Sequence, residues 1–344
     1  MSEIILNSQA YKHNLDIISA HIGSRDKIAV VLKDNAYGHG LAQMSDLSQQ
    51  YGIKNAFVKN YAEAISVKDK FTSITALYGR AQGVIPPNVA MVINRKEDIT
   101  CLPPHTNVEL KVNAGMNRNG IESDEIETFI RLILEQKLNL IGVFSHNGYG
   151  DDLDDEFHNT QKHFEQIKAS TKDLSQKYGF PLPRFHSLNS SAAIRTAMNG
   201  TIDDDLVRMG IAIYGYLDTQ FQNPLSSKLQ KVASLWADKI SQRTLKKGAR
   251  IGYSGCSVLE SDAIVSTYDI GYGDGLLRID KGLQILTQKE YPILPRSSMD
   301  CFSCLCNEER ICVFDDVSQL AKAFNTISYE ILVRLSPFIK RTII

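Results

Sequence analysis

Between residues 27 and 215 the chain alternates short apolar runs with amphipathic stretches, and this alternation restricts the fold more than any other feature. Eight runs read as strands, at residues 28–32, 56–58, 74–77, 89–93, 108–112, 140–145, 185–187 and 205–207. The first is continuously apolar and rich in β-branched residues, as a strand buried on both faces of a parallel sheet requires. Helical spacing fills the gaps. Ile126, Phe129, Ile130, Ile133 and Leu134 share one helix face, as do Phe157, Phe164, Ile167, Thr171, Leu174 and Tyr178. Strands and helices in this order predict a (β/α)8 TIM-type barrel. A doubly wound open sheet has a similar alternation. The residues that carry chemistry, however, follow the first, fifth, sixth, seventh and eighth strands, and a closed ring brings that many strand ends to one mouth.

Past residue 228 helical periodicity fades, and short strands at 234–240, 263–268 and 310–314 are separated by Gly and Pro turns. The expected division is a barrel domain at 1–227 and a mainly β domain at 228–344, the latter of roughly 115 residues and of ordinary domain size. The formal net charge of −1 gives no electrostatic footprint for nucleic acid or an anionic membrane. Neither a secretory leader nor an apolar stretch of transmembrane length is read in the sequence, so a cytoplasmic protein is expected.

Lys33 ends the first strand, ahead of Asp34-Asn35-Ala36-Tyr37-Gly38-His39-Gly40. An ammonium at the mouth of an apolar core is desolvated, which favours the free amine as a carbonyl nucleophile. The loop after it suits an anion held by backbone N–H groups and a phenol. Together they are what a phosphorylated aldehyde cofactor needs. Lys111 to Gly120 brings Arg118 and two glycines after another strand, and His146 closes the next. His186-Ser-Leu-Asn189-Ser190-Ser191 leads into a helix, where an N-cap accounts for one polar group and a bound phosphate for several. Arg208-Met-Gly210-Ile211 follows the last strand and suits a phosphate or a heterocycle nitrogen. No metal site is expected. Cys301-Phe-Ser-Cys304 has neither a second Cys pair nor a His pair to complete a zinc site, and the thiols read as free and mostly buried. Ser254 fails the nucleophile-elbow pattern because Cys256 takes its last glycine. Gly271-Tyr-Gly-Asp-Gly275 is not followed by a helix, so it is not a dinucleotide fingerprint.

These segments, in this order and spacing, resemble the alanine racemase family, pyridoxal-phosphate enzymes with a barrel and a β domain. The resemblance implies that Lys33 is the Schiff-base lysine and that Tyr37, Asn189, Ser190, Gly210, Ile211 and Tyr329 hold the cofactor phosphate. It sets Arg208 against the pyridine nitrogen, with His146 linking that arginine to a second base, Tyr253, supplied by the partner subunit of a homodimer. Arg118 and the backbone of Met299 correspond to substrate-carboxylate groups. Lys111 corresponds to a lysine that many members carry as a carbamate, and Asp151, Tyr272, Arg278 and Arg296 to residues lining the substrate entryway. Asp34 and Asn113 depart from the usual residues at their positions.

The implied function is interconversion of L- and D-alanine by two bases, Lys33 and Tyr253, supplying D-alanine for peptidoglycan. A broad-specificity or serine/lysine racemase of the same fold is one alternative. A non-catalytic pyridoxal-phosphate carrier barrel is another, although such proteins lack the second domain that carries Tyr253.

Overall fold

The computed structural model describes residues 1–344. A first strand, β1 (Glu3–Leu6), is followed by eight more, namely β2 (Ile28–Val31), β3 (Asn55–Val58), β4 (Ser73–Ala76), β5 (Val89–Ile93), β6 (Asn107–Lys111), β7 (Asn139–Phe144), β8 (Arg184–His186) and β9 (Val207–Met209). Strands β2 to β8 pair in sequence order, all parallel, and β9 pairs with β2. The remaining gap is bridged by two backbone bonds, Asp205 N–H to the Phe185 carbonyl at 2.8 Å and Arg208 N–H to the Leu188 carbonyl at 3.0 Å. The ring is closed, as in a (β/α)8 barrel.

The expected strands lie within a residue or two of those observed. The last is displaced to β9, with Asp205 already bonded to Phe185 before β9 begins. The two amphipathic patterns are the helices Ile126–Glu135 and Glu156–Tyr178, with Ile126, Phe129, Ile130 and Ile133 buried on the first and Phe157, Phe164, Ile167, Thr171 and Leu174 on the second. The second helix stops at Gly179, whose φ of 69° is the left-handed C-terminal cap that glycine adopts without steric cost.

The other strands are β10 (Ala233–Leu245), β11 (Arg250–Ile251), β12 (Ser257–Val258), β13 (Ala263–Tyr268), β14 (Ile285–Leu286), β15 (Pro292–Leu294), β16 (Phe302–Cys304), β17 (Arg310–Phe314) and β18 (Lys340–Ile343). The long β10 organises them. Its first half pairs with β1 and β17 and its second half, from Lys239, with β13, with a bulge between Lys239 and Ser241 near the start of that pairing. Helices Ser318–Ala323 and Ser328–Val333 complete this region. No helix of the protein is long and apolar enough to cross a membrane.

Contacts divide the chain into one unit of Lys12–Asp34 and Met44–Gln230 and another of Met1–Tyr11, Asn35–Gln43 and Lys231–Ile344. This departs in two places from a division by chain order at 227/228. Strand β1 lies between β10 and β18, because Ile4 and Leu6 bury their side chains in that sheet. The segment after Lys33 also leaves the barrel unit, and Gly38 packs against the helix Ser328–Val333. A Cβ there would lie 1.9 Å from the Leu332 carbonyl oxygen, at a φ of 81°. Gly38→Ala should therefore lose at least about 2 kcal/mol of stability in denaturant titration. Gly23→Ala, at a φ of 84° in open space, should lose only the roughly 1 kcal/mol of left-handed strain. Equal losses would mean that the close approach at Gly38 is not real.

Candidate functional site

Lys33 stands two residues beyond β2, where Leu32 N–H still donates to the Phe57 carbonyl at 2.8 Å. The chain then turns in an unusual way. Asp34, Asn35, Ala36 and Tyr37 have φ of 55°, 56°, 52° and 54°, a left-handed helical turn built of four non-glycine residues. Asp and Asn visit this region singly, and Ala and Tyr rarely do, at about 1–2 kcal/mol per residue. Such a run persists only where its surroundings enforce it. Asp34 accepts from Lys59 Nζ at 2.5 Å, while Gly40 N–H and Leu41 N–H donate to the Asn35 carbonyl and side chain at 2.9 and 2.7 Å. The sequence signals a tight loop here but not its handedness.

Arg208, on β9, is buried, and its guanidinium is held by hydrogen bonds from both Nη atoms. One Nη meets His186 Nδ1 at 2.5 Å and the His186 carbonyl at 3.1 Å. The other reaches the Ser145 carbonyl at 2.7 Å, His146 Nδ1 at 3.2 Å and the Ser187 carbonyl at 3.3 Å. Its carbon lies 5.2 Å from the centre of the Phe144 ring. Lys111, the last residue of β6, is buried and donates to Asn119 Oδ1. Burial, and then the positive charges of Arg118, Arg208 and Lys33, lower its amine to about 7. Burial followed by those charges and that of Lys111 holds His146 well below the usual imidazole range. The charges acting on Lys111 are all cationic, and this mouth of the barrel is arranged to receive an anion.

Asn189 caps the helix Ser190–Asn199, accepting from Ala192 N–H at 2.9 Å and donating to the Asn147 carbonyl at 3.0 Å. Ser190 Oγ accepts from Gly210 N–H at 3.0 Å, and Ile211 opens the helical turn Ile211–Tyr214. The N-terminus of this helix and the turn after Gly210 follow the seventh and eighth barrel strands, a setting that suits a phosphate. Asp151 is exposed in the loop ahead of the helix Glu156–Tyr178.

Within the other unit, the Tyr37 and Tyr329 rings lie 5.7 Å apart. Tyr253 is 59% exposed and follows Gly252, whose φ of 73° brings it against the backbone of Pro295 and Arg296. Tyr253, Arg296, Ser298 and Cys301 line a cavity of about 390 Å³. Arg296 Nε donates to Asp280 at 2.7 Å, and Gly273 N–H donates to the Met299 carbonyl at 2.8 Å. Tyr272 N–H reaches the Ser298 carbonyl at 3.1 Å. Arg278 sits in the same segment, after the turn Tyr272–Asp274. All six cysteines are free thiols, with Cys304, Cys306 and Cys312 buried, Cys256 and Cys301 half-buried and Cys101 exposed.

The sequence reading gave no role to three residues inside the barrel. Glu109, His186 and Arg208 form one buried chain with the half-buried Arg184, His186 Nε2 lying 3.0 Å from Glu109 Oε2 and Arg184 pairing with the same carboxylate. The available signal was parity, since Glu109 and Lys111 on one strand and Arg184 and His186 on another are two apart and face the same side.

The alanine racemase N-terminal domain model matches residues 6–218, and the C-terminal domain model matches residues 232–343. The chain belongs to the alanine racemase family. Among curated members, it is 39% identical to an alanine racemase of Nitratiruptor sp. over 344 residues, covering 99% of each chain. It is 40% identical to that of Campylobacter curvus over 341 residues, again covering 99% of each. An alanine racemase structure from Clostridium difficile shares the fold at a TM-score of 0.85 and 21% identity, with 100% of this chain and 95% of that chain covered.

The buried histidines of this family member predict a pH dependence. Burial lowers both His39 and His186 to about 4, against an ordinary value of 6.5. Between those values the unfolded chain binds protons that the native state refuses, so stability falls as pH falls. The slope is about 1.4 kcal/mol per pH unit for each histidine at full effect. Below the lower value the histidine contribution levels off. Urea unfolding across mildly acid pH should show the midpoint falling with acidification, and a flat or rising midpoint would contradict neutral buried imidazoles.

Proposed function

We propose that this protein interconverts L- and D-alanine with pyridoxal 5'-phosphate as cofactor. The observation that carries the reading is the cationic barrel mouth, where the charges of Lys33, Arg118 and Arg208 act on the buried Lys111 and His146. A ligand bearing a phosphate and a phenolate would neutralise that charge, and Lys33 supplies the amine that an aldehyde requires. When bound, pyridoxal phosphate would supply the electron sink that makes the α-proton of an amino acid acidic.

The residues then divide the work. Asn189, Ser190, Gly210, Ile211, Tyr37 and Tyr329 would hold the phosphate, and Arg208 the ring nitrogen. A guanidinium does not give up its proton near neutrality, so that nitrogen stays unprotonated. His146 would connect Arg208 to Tyr253. The Lys33 amine would move the α-proton of one enantiomer and the Tyr253 phenol that of the other. Arg118 and the Met299 backbone would grip the carboxylate, and Asp151, Tyr272, Arg278 and Arg296 would line the approach. Lys111, with its amine lowered to about 7, has free base available to add carbon dioxide, forming a carbamate and releasing one proton. The reading also places the protein in the cytoplasm as a homodimer, with the partner subunit's Tyr253 completing each site.

Racemisation of both alanine enantiomers by the purified holoenzyme, against a panel of other amino acids, tests the reading directly. A protein that binds cofactor but turns over no amino acid would overturn it. Tyr253→Phe should suppress solvent-deuterium exchange at the α-carbon of one enantiomer far more than the other, and equal loss would rule out two separate bases.

Lys33→Ala and Tyr253→Ala should each be nearly inactive. Unfolded and refolded together, they should regain activity through mixed dimers that hold one intact site. Mixed dimers confirmed by native mass measurement yet inactive would mean that Tyr253 serves its own subunit. Carbon-labelled bicarbonate should give a carbamate NMR signal that Lys111→Ala lacks.

A further inference from the structure

Below Arg208 the barrel encloses a carboxylate that the two-base reaction does not use. Glu109 is fully buried on β6. Its Oε1 accepts from Arg184 Nε at 2.8 Å, from an Arg184 Nη, and from Thr75 Oγ1 at 3.2 Å. Arg184 is itself fixed by Ser73 Oγ at 3.1 Å and Asn55 Oδ1 at 3.3 Å. The ion pair is thus satisfied on one oxygen alone. The other, Oε2, meets His186 Nε2 at 3.0 Å.

A carboxylate is an acceptor only, so Nε2 carries the imidazole proton. Nδ1 then presents its lone pair to the Arg208 Nη 2.5 Å away. The opposite tautomer, or the imidazolium, would set N–H against N–H at that contact. Rotation of the ring offers no escape, because Phe144 stacks on it at 4.8 Å and Phe57 abuts it edge-on at 5.1 Å.

We propose that Glu109 is a positioning residue for Arg208, locking His186 in its Nε2–H tautomer so that Nδ1 accepts from the guanidinium and fixes its direction. Resting on the reading that Arg208 meets the cofactor ring, this makes a carboxylate–imidazole–guanidinium relay the support of that contact. The logic is that of an acid orienting a histidine whose other nitrogen does the work.

The test begins with nitrogen NMR of ring-labelled histidine in the wild-type protein without cofactor. It should show His186 neutral, with its proton on Nε2. A proton on Nδ1, or on both nitrogens, at neutral pH overturns the proposal, and this measurement needs no variant. Glu109→Gln offers one acceptor where two are needed, so its amide N–H faces either His186 or Arg184. It should lose the single Nε2–H tautomer. In the holoenzyme it should lower kcat for alanine roughly 10- to 100-fold while leaving KM nearly unchanged.

Arg184→Lys keeps the carboxylate and a positive charge but loses the guanidinium fork. It should lower thermal stability yet retain the wild-type tautomer and most of kcat. A Glu109→Gln enzyme with full kcat, or an Arg184→Lys enzyme that loses as much kcat with its tautomer intact, overturns the positioning role. A wild type inactive on both alanine enantiomers overturns the racemase reading instead, and the tautomer spectrum still decides the role of Glu109.

Discussion

The buried pairing of Glu109 with Arg184 is the interaction on which the barrel mouth depends. Burial works to raise the Glu109 carboxyl, and Arg184 and His186 override it, holding the group well below the usual carboxylate range. A single buried carboxylate of this kind is tolerable only when its lone pairs are filled, and here four donors from three side chains fill them. Burial, with the charges of Arg208 and Arg184, keeps His186 neutral against the pull of Glu109, and a neutral His186 can accept from Arg208. Above that level the groups acting on Lys111 and His146 are cations, so a charge-balanced ion pair underlies the cationic mouth of the barrel.

A second constraint acts where the chain leaves β2. Four left-handed residues in a row place Lys33 and Tyr37 at either end of one strained turn. Gly38 then passes close to the Leu332 carbonyl, where no side chain fits. The segment Asn35–Gln43 consequently belongs with the sheet built on β10 rather than with the barrel that precedes it. Local strain of this kind persists only where the surrounding packing holds it in place.

Strong local patterns made much of the fold legible. The eight apolar runs and the two long amphipathic patterns could be placed because period and burial are linked within a few residues of chain. Lys33, Arg208 and the polar run at Asn189 could be singled out because each follows a strand end. Glu109 could not be given a role, because its partners Arg184 and His186 are 75 and 77 residues away. In the sequence it is one charge inside an apolar run.

By itself the sequence determined the alternation of strand and helix, the lysine at the first barrel strand end and the change of texture after residue 228. These follow from side-chain periodicity and from the chemistry of single residues. Only the tertiary structure decided that β1 pairs with β10 and β18, that the turn after Lys33 is left-handed, and that Lys111 is brought to about 7 by burial and then by the charges of Arg118, Arg208 and Lys33. The reason is physical. Hydrogen-bonded register, enforced strain and electrostatic coupling are properties of distances between residues remote in the chain, and those distances exist only once the ring has closed.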